Sequence, residues 1–205
     1  MKTIYLLRHG ETVLPPGHAL GRREVPLSDQ GRAQMRRLGQ LLRPHQITRL
    51  VASPLGRCRE SAELLGLGLP LQLDNDLAEL DLGTWDGLSF DEVRHHFPDD
   101  YAARGRDLAA FRPPGGESFQ DLLARAWQAL ERTRQHLDQT AVVVAHAGVN
   151  RVLLCRILGL PLQQLFQLDQ DHACLNRLDC PDDTIRCRSI NWTAEPRGTM
   201  AMFRL

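Results

Sequence analysis

Lysine is almost missing from this 205-residue chain, because Lys2 is the only one and arginine supplies the remaining cations. Basic and acidic residues number 25 each, so the formal net charge is zero. This balance lacks the bulk basicity of nucleic-acid-binding proteins, and we expect no nucleic-acid partner. The excess of arginine reflects either genomic base composition or the use of planar guanidinium groups to bind phosphate. Only particular arginines can therefore support a functional argument.

The sequence also lacks long apolar runs. One of the longest spans residues 141–145, far below the ~18 residues that a membrane-spanning helix needs. The N-terminus enters an apolar run at once and shows none of the regions of a signal peptide. With 42% hydrophobic and 24% charged residues, the composition is that of an ordinary globular protein. We therefore expect a cytoplasmic protein with no membrane partner.

Paired cysteines are missing too. The chain has five cysteines, an odd number, and no C-x-x-C motif. A disulfide framework or a tetrahedral metal site is therefore disfavoured. We interpret the cysteines as small buried hydrophobic residues and predict no metal ion.

No segment of 20–50 residues repeats, and strand-like runs alternate instead with amphipathic patterns. The length fits a single domain over residues 1–205. Apolar runs predict strands at residues 3–8, 50–52 and 141–145. Helices are predicted at residues 29–43 after Ser28, after Ser53-Pro54, from Ser118 onward, and from Gly148 to about residue 158.

The remaining segments complete the predicted architecture. Residues 80–117 are rich in glycine and proline, which indicates an irregular insertion over the sheet. Residues 173–180, 184–193 and 199–205 are predicted to form three strands joined by turns. The fold class is therefore α/β: a three-layer sandwich whose central sheet is mostly parallel, with an antiparallel edge.

Two of the apolar runs end alike, with a histidine just past the strand. His9 precedes Gly10, and His146 stands two residues before Gly148. Ligands of open α/β sheets bind outside the carboxyl ends of the strands, so we expect the two imidazoles to meet in one crevice. Either histidine alone could be structural, but the nearby glycines free the backbone to turn and favour a site. A bend at Gly10 would bring Arg8 to the same pocket.

Phosphoryl transfer is the chemistry that this pattern favours. Planar guanidinium groups match phosphate oxygens, and a neutral imidazole nitrogen can attack phosphorus. Arg57, one turn into the second helix, could supply another guanidinium at the same edge. Its spacing is equally compatible with a solvated helix position like that expected for Arg59.

The reaction makes two further demands. The attacking imidazole needs one unprotonated nitrogen, so its other nitrogen must donate to a fixed acceptor such as a backbone carbonyl. The leaving alkoxide needs a proton from a carboxyl group near the site. Three acidic residues of the irregular segment are candidates: Glu79, Asp81 and Asp86.

The sequence L-R-H-G-E-T at residues 7–12 resembles the signature of the histidine phosphatase superfamily, in its phosphoglycerate mutase-like branch. Five further blocks follow in the family's order. They are G-x-x-E-x-P-L-S-x-x-G at residues 21–31, S-P-L-x-R at 53–57, L-A-E-L-D-L-G-T-W-D-G at 77–87, P-G-G-E-S at 114–118 and H-A-G at 146–148. The resemblance implies a phosphoglycerate mutase-like fold, and a reaction without metal or cofactor.

The resemblance also implies a role for each matching residue. His9 would be the phosphorylated nucleophile. Arg8, Arg57 and His146 would bind and stabilise the transferring phosphoryl group. Glu79 would donate a proton to the leaving group and later activate water as a base.

Three more residues are assigned to substrate binding. Thr12 closes the first block of the family pattern. Ala147 stands where glycine is usual, and its backbone N–H can still serve the phosphate. Arg22 belongs to a stretch that either lines the mouth of the substrate site or is an exposed loop.

Hydrolysis of a small phosphomonoester is the reaction that we favour. Family mutases tend to be longer, with extra segments that close the site, and residues 82–89 look more like the loop of broad-specificity and α-ribazole phosphatases. One alternative is a cofactor-dependent phosphoglycerate mutase-type phosphotransferase. Another is a non-catalytic phosphate-binding regulatory module. Neither the natural substrate nor the oligomeric state can be deduced from the pattern.

Overall fold

Six strands form one mixed sheet in the structure, a computed structural model that describes residues 2–182 and 184–194. In chain order they are β1 (Lys2–Arg8), β2 (Ile47–Ala52), β3 (Leu71–Leu73), β4 (Thr140–Ala145), β5 (Leu175–Cys180) and β6 (Arg186–Trp192). Across the sheet the order is β3-β2-β4-β1-β5-β6.

The first four strands run parallel, whereas β5 and β6 form an antiparallel edge. This arrangement confirms the predicted fold class. The central strands β1 and β4 are direct neighbours, in a register that pairs Arg8 with Ala145. Because parallel strands bring their carboxyl ends to one edge, His9 and His146 leave the sheet side by side.

Six α-helices accompany the sheet within residues 2–182 and 184–194. They are α1 (Asp29–Leu42), α2 (Gly56–Leu64), α3 (Phe90–His96), α4 (Pro98–Arg106), α5 (Phe119–Gln135) and α6 (Ala147–Leu158). Alternate residues of the strands enter two separate cores. In β4, Val142 and Val144 pack with α1 and α2, whereas Val143 packs with α5 and α6. The sheet is thus covered on both faces, which explains why its central strands are apolar throughout rather than alternating.

Serine side chains begin two of the predicted helices as expected. Ser28 Oγ accepts a hydrogen bond of 3.0 Å from the Gly31 N–H at the start of α1. Ser118 and Asp121 form a reciprocal capping box at the start of α5, with bonds of 3.1 and 2.9 Å. Such caps typically contribute ~1 kcal/mol each to stability.

The prediction that Ser53 caps the second helix is wrong. Helix α2 begins at Gly56 with Leu55 in the cap position, and its first N–H donates to the distant Glu24 carboxylate at 3.0 Å rather than to a neighbouring serine. Ser53 is fully buried, and its hydroxyl lies 2.7 Å from His146 Nε2. The tertiary contact with His146 therefore replaces the local cap.

Other boundaries differ modestly from prediction. The strand β3 and the helix α4 were not anticipated, since β3 is only three residues long and α4 lies within the segment read as irregular. Helix α6 begins at Ala147, one residue before the predicted Gly148. Two of the predicted C-terminal strands correspond to β5 and β6, and the third, at residues 199–205, lies outside the described residues.

Within the described part of the chain, no helix has the combination of length and apolarity that crossing a membrane requires.

Candidate active site

The imidazoles of His9 and His146 face each other at the carboxyl edge of the sheet. Their ring centroids are 5.2 Å apart, with an angle of 64° between the ring planes. Both residues are buried, at 3% and 0% exposure. The adjacent, in-register ends of β1 and β4 produce this convergence. The two histidines that the sequence singled out thus share one site.

The protonation state of His9 follows from its contacts. Its Nδ1 lies 2.7 Å from the carbonyl oxygen of Gly10, and because a carbonyl can only accept, Nδ1 carries the hydrogen. Burial first, then the charges of Arg8 and Arg57, hold the pKa of His9 well below its usual 6.5. The ring is therefore neutral at neutral pH, and its Nε2 has a free lone pair. This is the tautomer that nucleophilic attack requires.

His146 is also held neutral. Its Nε2 lies 2.7 Å from Ser53 Oγ and 3.4 Å from the Cys58 thiol. Burial, followed by the charge of Arg57, keeps the pKa of His146 well below its usual value. An anion bound between the rings would counter the surrounding positive charge and raise that pKa again.

The Arg8 side chain extends from the end of β1 toward the loop that precedes β5. Its Nη1 donates to the Gln170 carbonyl at 2.6 Å, and its Nη2 lies 2.7 Å from His172 Nε2. Burial lowers the pKa of Arg8 to about 10, so the guanidinium remains charged at neutral pH. Its Nε is buried and has no hydrogen-bond partner among the described residues.

Arg57 is turned inward and is only 1% exposed. It therefore does not occupy the solvated helix position that its spacing also allowed. Its Nη1 and Nη2 donate to the carbonyls of Arg23 and Gly21 at 2.9 and 2.6 Å. Like that of Arg8, its Nε is buried without a partner in the part of the chain that is described. Buried donors are normally satisfied, so two orphaned N–H groups beside two neutral imidazoles fit an anion site.

The Glu79 side chain reaches the same site from the loop after β3. It is 7% exposed, and its two oxygens accept hydrogen bonds from the N–H groups of Leu80 at 2.9 Å and Gly148 at 3.0 Å. Arg125 braces this loop by donating to the carbonyls of Ala78 and Glu79 at 2.6 and 2.9 Å. The carboxyl group is thereby fixed against the first turn of α6.

The three additional substrate-binding candidates are placed differently. Ala147 lines the cavity beside His9 at the start of α6. Arg22 donates to the Glu79 carbonyl and pairs with Asp81 and Glu117, so its contacts hold the Glu79 loop. Thr12 is buried, bridges to Leu27 through the backbone, and is not among the residues that line the cavity. Direct substrate contacts by Thr12 and Arg22 remain predictions.

His172 belongs to this site but was missed by sequence reasoning. Its ring centroid is 5.8 Å from that of His9. Because a guanidinium only donates, the contact with Arg8 requires His172 Nε2 to be an unprotonated acceptor. Burial, followed by the charge of Arg8, lowers the pKa of His172 to about 3, in agreement. No local pattern marks this residue, since it lies 163 positions after His9 in a loop.

A cavity of about 210 Å³ opens beside His9. Its polar end is lined by Arg8, His9, Glu79, Ala147, Gly148 and Arg151. Much of the rest of its wall comes from the segment predicted to lie over the sheet, including Leu82, Trp85 and Phe111. The space for a ligand therefore adjoins His9 directly, whereas His146 and Arg57 lie behind it and are not among the lining residues.

Fold and site together define a class of α/β protein: a mostly parallel sheet, covered on both faces, with two buried histidines at the carboxyl ends of adjacent strands. The chain belongs to the histidine phosphatase superfamily, branch 1, whose family model matches residues 4–193.

Similar proteins share this architecture over nearly their whole length. The adenosylcobalamin/alpha-ribazole phosphatase of Salmonella typhimurium is 30% identical over 196 residues, covering 92% of this chain and 95% of that protein. The structure of a putative alpha-ribazole-5'-P phosphatase from Escherichia coli superposes with a TM-score of 0.86 at 28% identity, over 93% and 96% of the two chains. A mycobacterial glucosyl-3-phosphoglycerate phosphatase superposes at 0.81 with 30% identity, over 95% and 100%.

Proposed function

We propose that this protein hydrolyses a small phosphomonoester through a phosphohistidine formed on His9. The observation that carries the proposal is the 5.2 Å approach of the His9 and His146 rings, beside arginines with unpartnered buried N–H groups. The relatives named as phosphatases support the same reaction class. The partner is a small molecule, and the residues assigned below act on its phosphoryl group.

The first step transfers the phosphoryl group to the protein. His9 Nε2 attacks phosphorus in line, the N–P bond forms, and the ester P–O bond breaks. Arg8, Arg57 and His146 stabilise the negative charge on the transferring group, and Glu79 gives its proton to the departing alkoxide. The bond from His9 Nδ1 to the Gly10 carbonyl keeps Nε2 available for this attack.

The second step returns the protein to its starting state. The first product leaves, and a water molecule takes its place next to Glu79, which is now ionised. Glu79 removes a proton from the water as its oxygen attacks phosphorus. The N–P bond breaks, and inorganic phosphate departs. The position of Glu79, hydrogen-bonded to Gly148 at the edge of the cavity, supports both proton transfers.

Trapping of the covalent intermediate tests this function. Rapid mixing with radiolabelled p-nitrophenyl phosphate, followed by an alkaline quench, should give a base-stable, acid-labile label on the peptide that contains His9. His9→Ala should abolish both the label and phosphate release while the protein stays folded. His45→Ala is the matched control, because His45 contacts Tyr5 rather than the site. Turnover by the His9→Ala variant would contradict the covalent route.

The same protein preparation distinguishes the alternatives. Rapid isomerisation of 3-phosphoglycerate in the presence of its bisphosphate cofactor, with negligible release of phosphate, would replace hydrolysis by mutase chemistry. Phosphate binding without turnover of a wide panel of phosphomonoesters would favour a regulatory module.

A further inference from the structure

The cavity beside His9 has a polar floor and largely apolar walls. Beyond the reacting groups, the walls carry leucine side chains and the rings of Trp85, Phe90, Phe111, Phe119 and Phe166. Phe90 and Phe166 expose 44% and 50% of their surface, unusually much for aromatic side chains. A cavity of roughly 150 Å³ holds one benzene ring, so about 210 Å³ accommodates a leaving group of one to two rings. The wall favours a flat, apolar leaving group over a heavily hydroxylated one.

Two arginine guanidinium groups lie close to one of these rings, that of Phe166. The guanidinium carbons of Arg104 and Arg151 lie 5.5 and 5.4 Å from the centre of the Phe166 ring, and Phe119 meets the same ring edge-on at 6.0 Å. Both arginines line the cavity. The wall around Phe166 therefore combines an aromatic surface with positive charge.

The two arginines differ in their partners. Arg151 donates from Nε to the Leu168 carbonyl at 2.9 Å and interacts with the charges of Glu79 and Asp169. The Arg104 guanidinium makes no hydrogen bond or ion pair with any described residue, and partial burial lowers its pKa. Charges withdrawn from water are normally compensated by a counter-charge. The two carboxylates that line the cavity are engaged elsewhere: Glu79 accepts from backbone N–H groups, and Glu117 pairs with Arg22 and Arg125, so neither pairs with Arg104.

We propose that Arg104 binds a second anionic group of the substrate, so that the substrate is a phosphomonoester whose flat apolar leaving group carries an anion at its far end. The phosphoryl group would lie between His9 and His146. The rings of the wall would hold the body of the leaving group, and Arg104 would bind the distal anion next to Phe166. This inference rests on the proposed function and adds a substrate class to it.

Matched pairs of synthetic substrates test the inference. Each pair consists of aryl phosphates that differ only at the far end, with a carboxylate in one and a carboxamide in the other: 4-carboxyphenyl with 4-carbamoylphenyl phosphate, and 6-carboxy-2-naphthyl with 6-carbamoyl-2-naphthyl phosphate. The readout is the acid-to-amide ratio of kcat/KM in the wild type and in Arg104→Gln. Comparing variants cancels the different leaving-group chemistry of acid and amide.

We expect the ratio for at least one pair to fall about 10-fold or more in Arg104→Gln, the usual size of a lost charge-assisted hydrogen bond. Arg104→Lys should retain part of the preference. Arg106→Gln is the matched control, because Arg106 lies exposed on the same helix and does not line the cavity. In the wild type, the ratio should also decrease as ionic strength rises.

Equal ratios in the wild type and Arg104→Gln for both pairs would overturn the inference. So would an acid-to-amide ratio in the wild type that does not respond to salt, and that outcome refutes the second anion site even if Arg104→Gln fails to fold; Arg104→Lys then distinguishes Arg104 from Arg151. His9-dependent hydrolysis of the amide substrates without any acid preference would leave the proposed function standing and refute only the second anion site. If neither the aryl phosphates nor a panel of alkyl phosphates is hydrolysed, the proposed function fails, and calorimetric binding of the corresponding aryl phosphonates still compares acid with amide.

Discussion

The backbone N–H of Gly148 donates to Glu79 Oε2 at 3.0 Å, joining the first turn of α6 to the loop that carries the acid. A β-carbon at position 148 would collide with the Glu79 carboxyl group. The absence of a side chain at Gly148 is therefore what lets the Glu79 carboxyl group lie against the first turn of α6, at the wall of the cavity that His9 also lines. This contact explains why the H-A-G block and the acid-bearing loop are needed together.

Gly148→Ala should lower kcat/KM about 100-fold, because displacement of a catalytic group by about 1 Å can cost that much. The loss should be larger for alkyl phosphates, which need a proton on the leaving group, than for p-nitrophenyl phosphate. Steady-state kinetics with both substrates measure the effect. Gly105→Ala is the control, since a β-carbon there meets nothing within 4 Å. Equal activity of the two variants would show that the Glu79 position is not critical.

Glu79→Gln should lower the hydrolysis rate of an alkyl phosphate by ~10²–10⁴, the usual contribution of general acid–base catalysis. With 2,4-dinitrophenyl phosphate, whose leaving group needs no proton, formation of the phosphohistidine should slow far less. Single-turnover kinetics with the two substrates separate these effects. A near-normal rate with the alkyl ester would instead transfer the acid role to Asp81 or Asp86.

His172→Leu should raise KM and the inhibition constant of phosphate about 10-fold with a smaller change in kcat. The substitution removes the acceptor of a charge-assisted hydrogen bond that orients Arg8. His172→Gln, which restores an acceptor oxygen, should recover part of the affinity. If both variants lose kcat alone, or if the glutamine gives no rescue, His172 does not position Arg8.

The free energy of unfolding should fall as the pH drops below 6.5. His9, His146 and His172 have pKa values held below the unfolded value, so in this range the unfolded chain binds protons that the folded protein does not. Each contributes a loss approaching about 1.4 kcal/mol per pH unit, and none of this loss occurs above pH 7.5. Urea unfolding at pH 7.5, 6.5 and 5.5 measures it.

Two comparisons check the origin of this pH dependence. His172→Gln should show a shallower slope, because one titrating group is removed. Saturating phosphate should reduce the loss in the wild type, since a bound anion raises the pKa of the adjacent imidazoles. A free energy of unfolding that is constant from pH 7.5 to 5.5 would contradict the assignment of neutral buried histidines.

Local patterns in the sequence were sufficient to predict where the two histidines of the site lie. The apolar runs around β1 and β4 and the glycines after them predicted that His9 and His146 would converge, and the structure places their rings in contact. The requirement for a carbonyl acceptor on His9 was also anticipated, and Gly10 provides it. These features follow from strand geometry and from neighbours in the chain.

Contacts between residues far apart in the chain could not be predicted from local patterns. Spacing could not tell whether Arg57 turns inward, because its partners are the carbonyls of Gly21 and Arg23, more than thirty positions away. The serine expected to cap α2 bonds His146 instead, because a buried imidazole nitrogen requires a partner that only the folded protein supplies.

By itself, the sequence determined which side chains stand at the strand ends and therefore which reacting groups are present, since strand periodicity and backbone turns are local properties. The tertiary structure alone decided what surrounds them: His172 against Arg8, Gly148 against Glu79, and Arg104 over Phe166 in the cavity. Those pairs are distant in the chain. Only the packing of the sheet and its covering helices fixes their distances and burial, and with them the charge of each group.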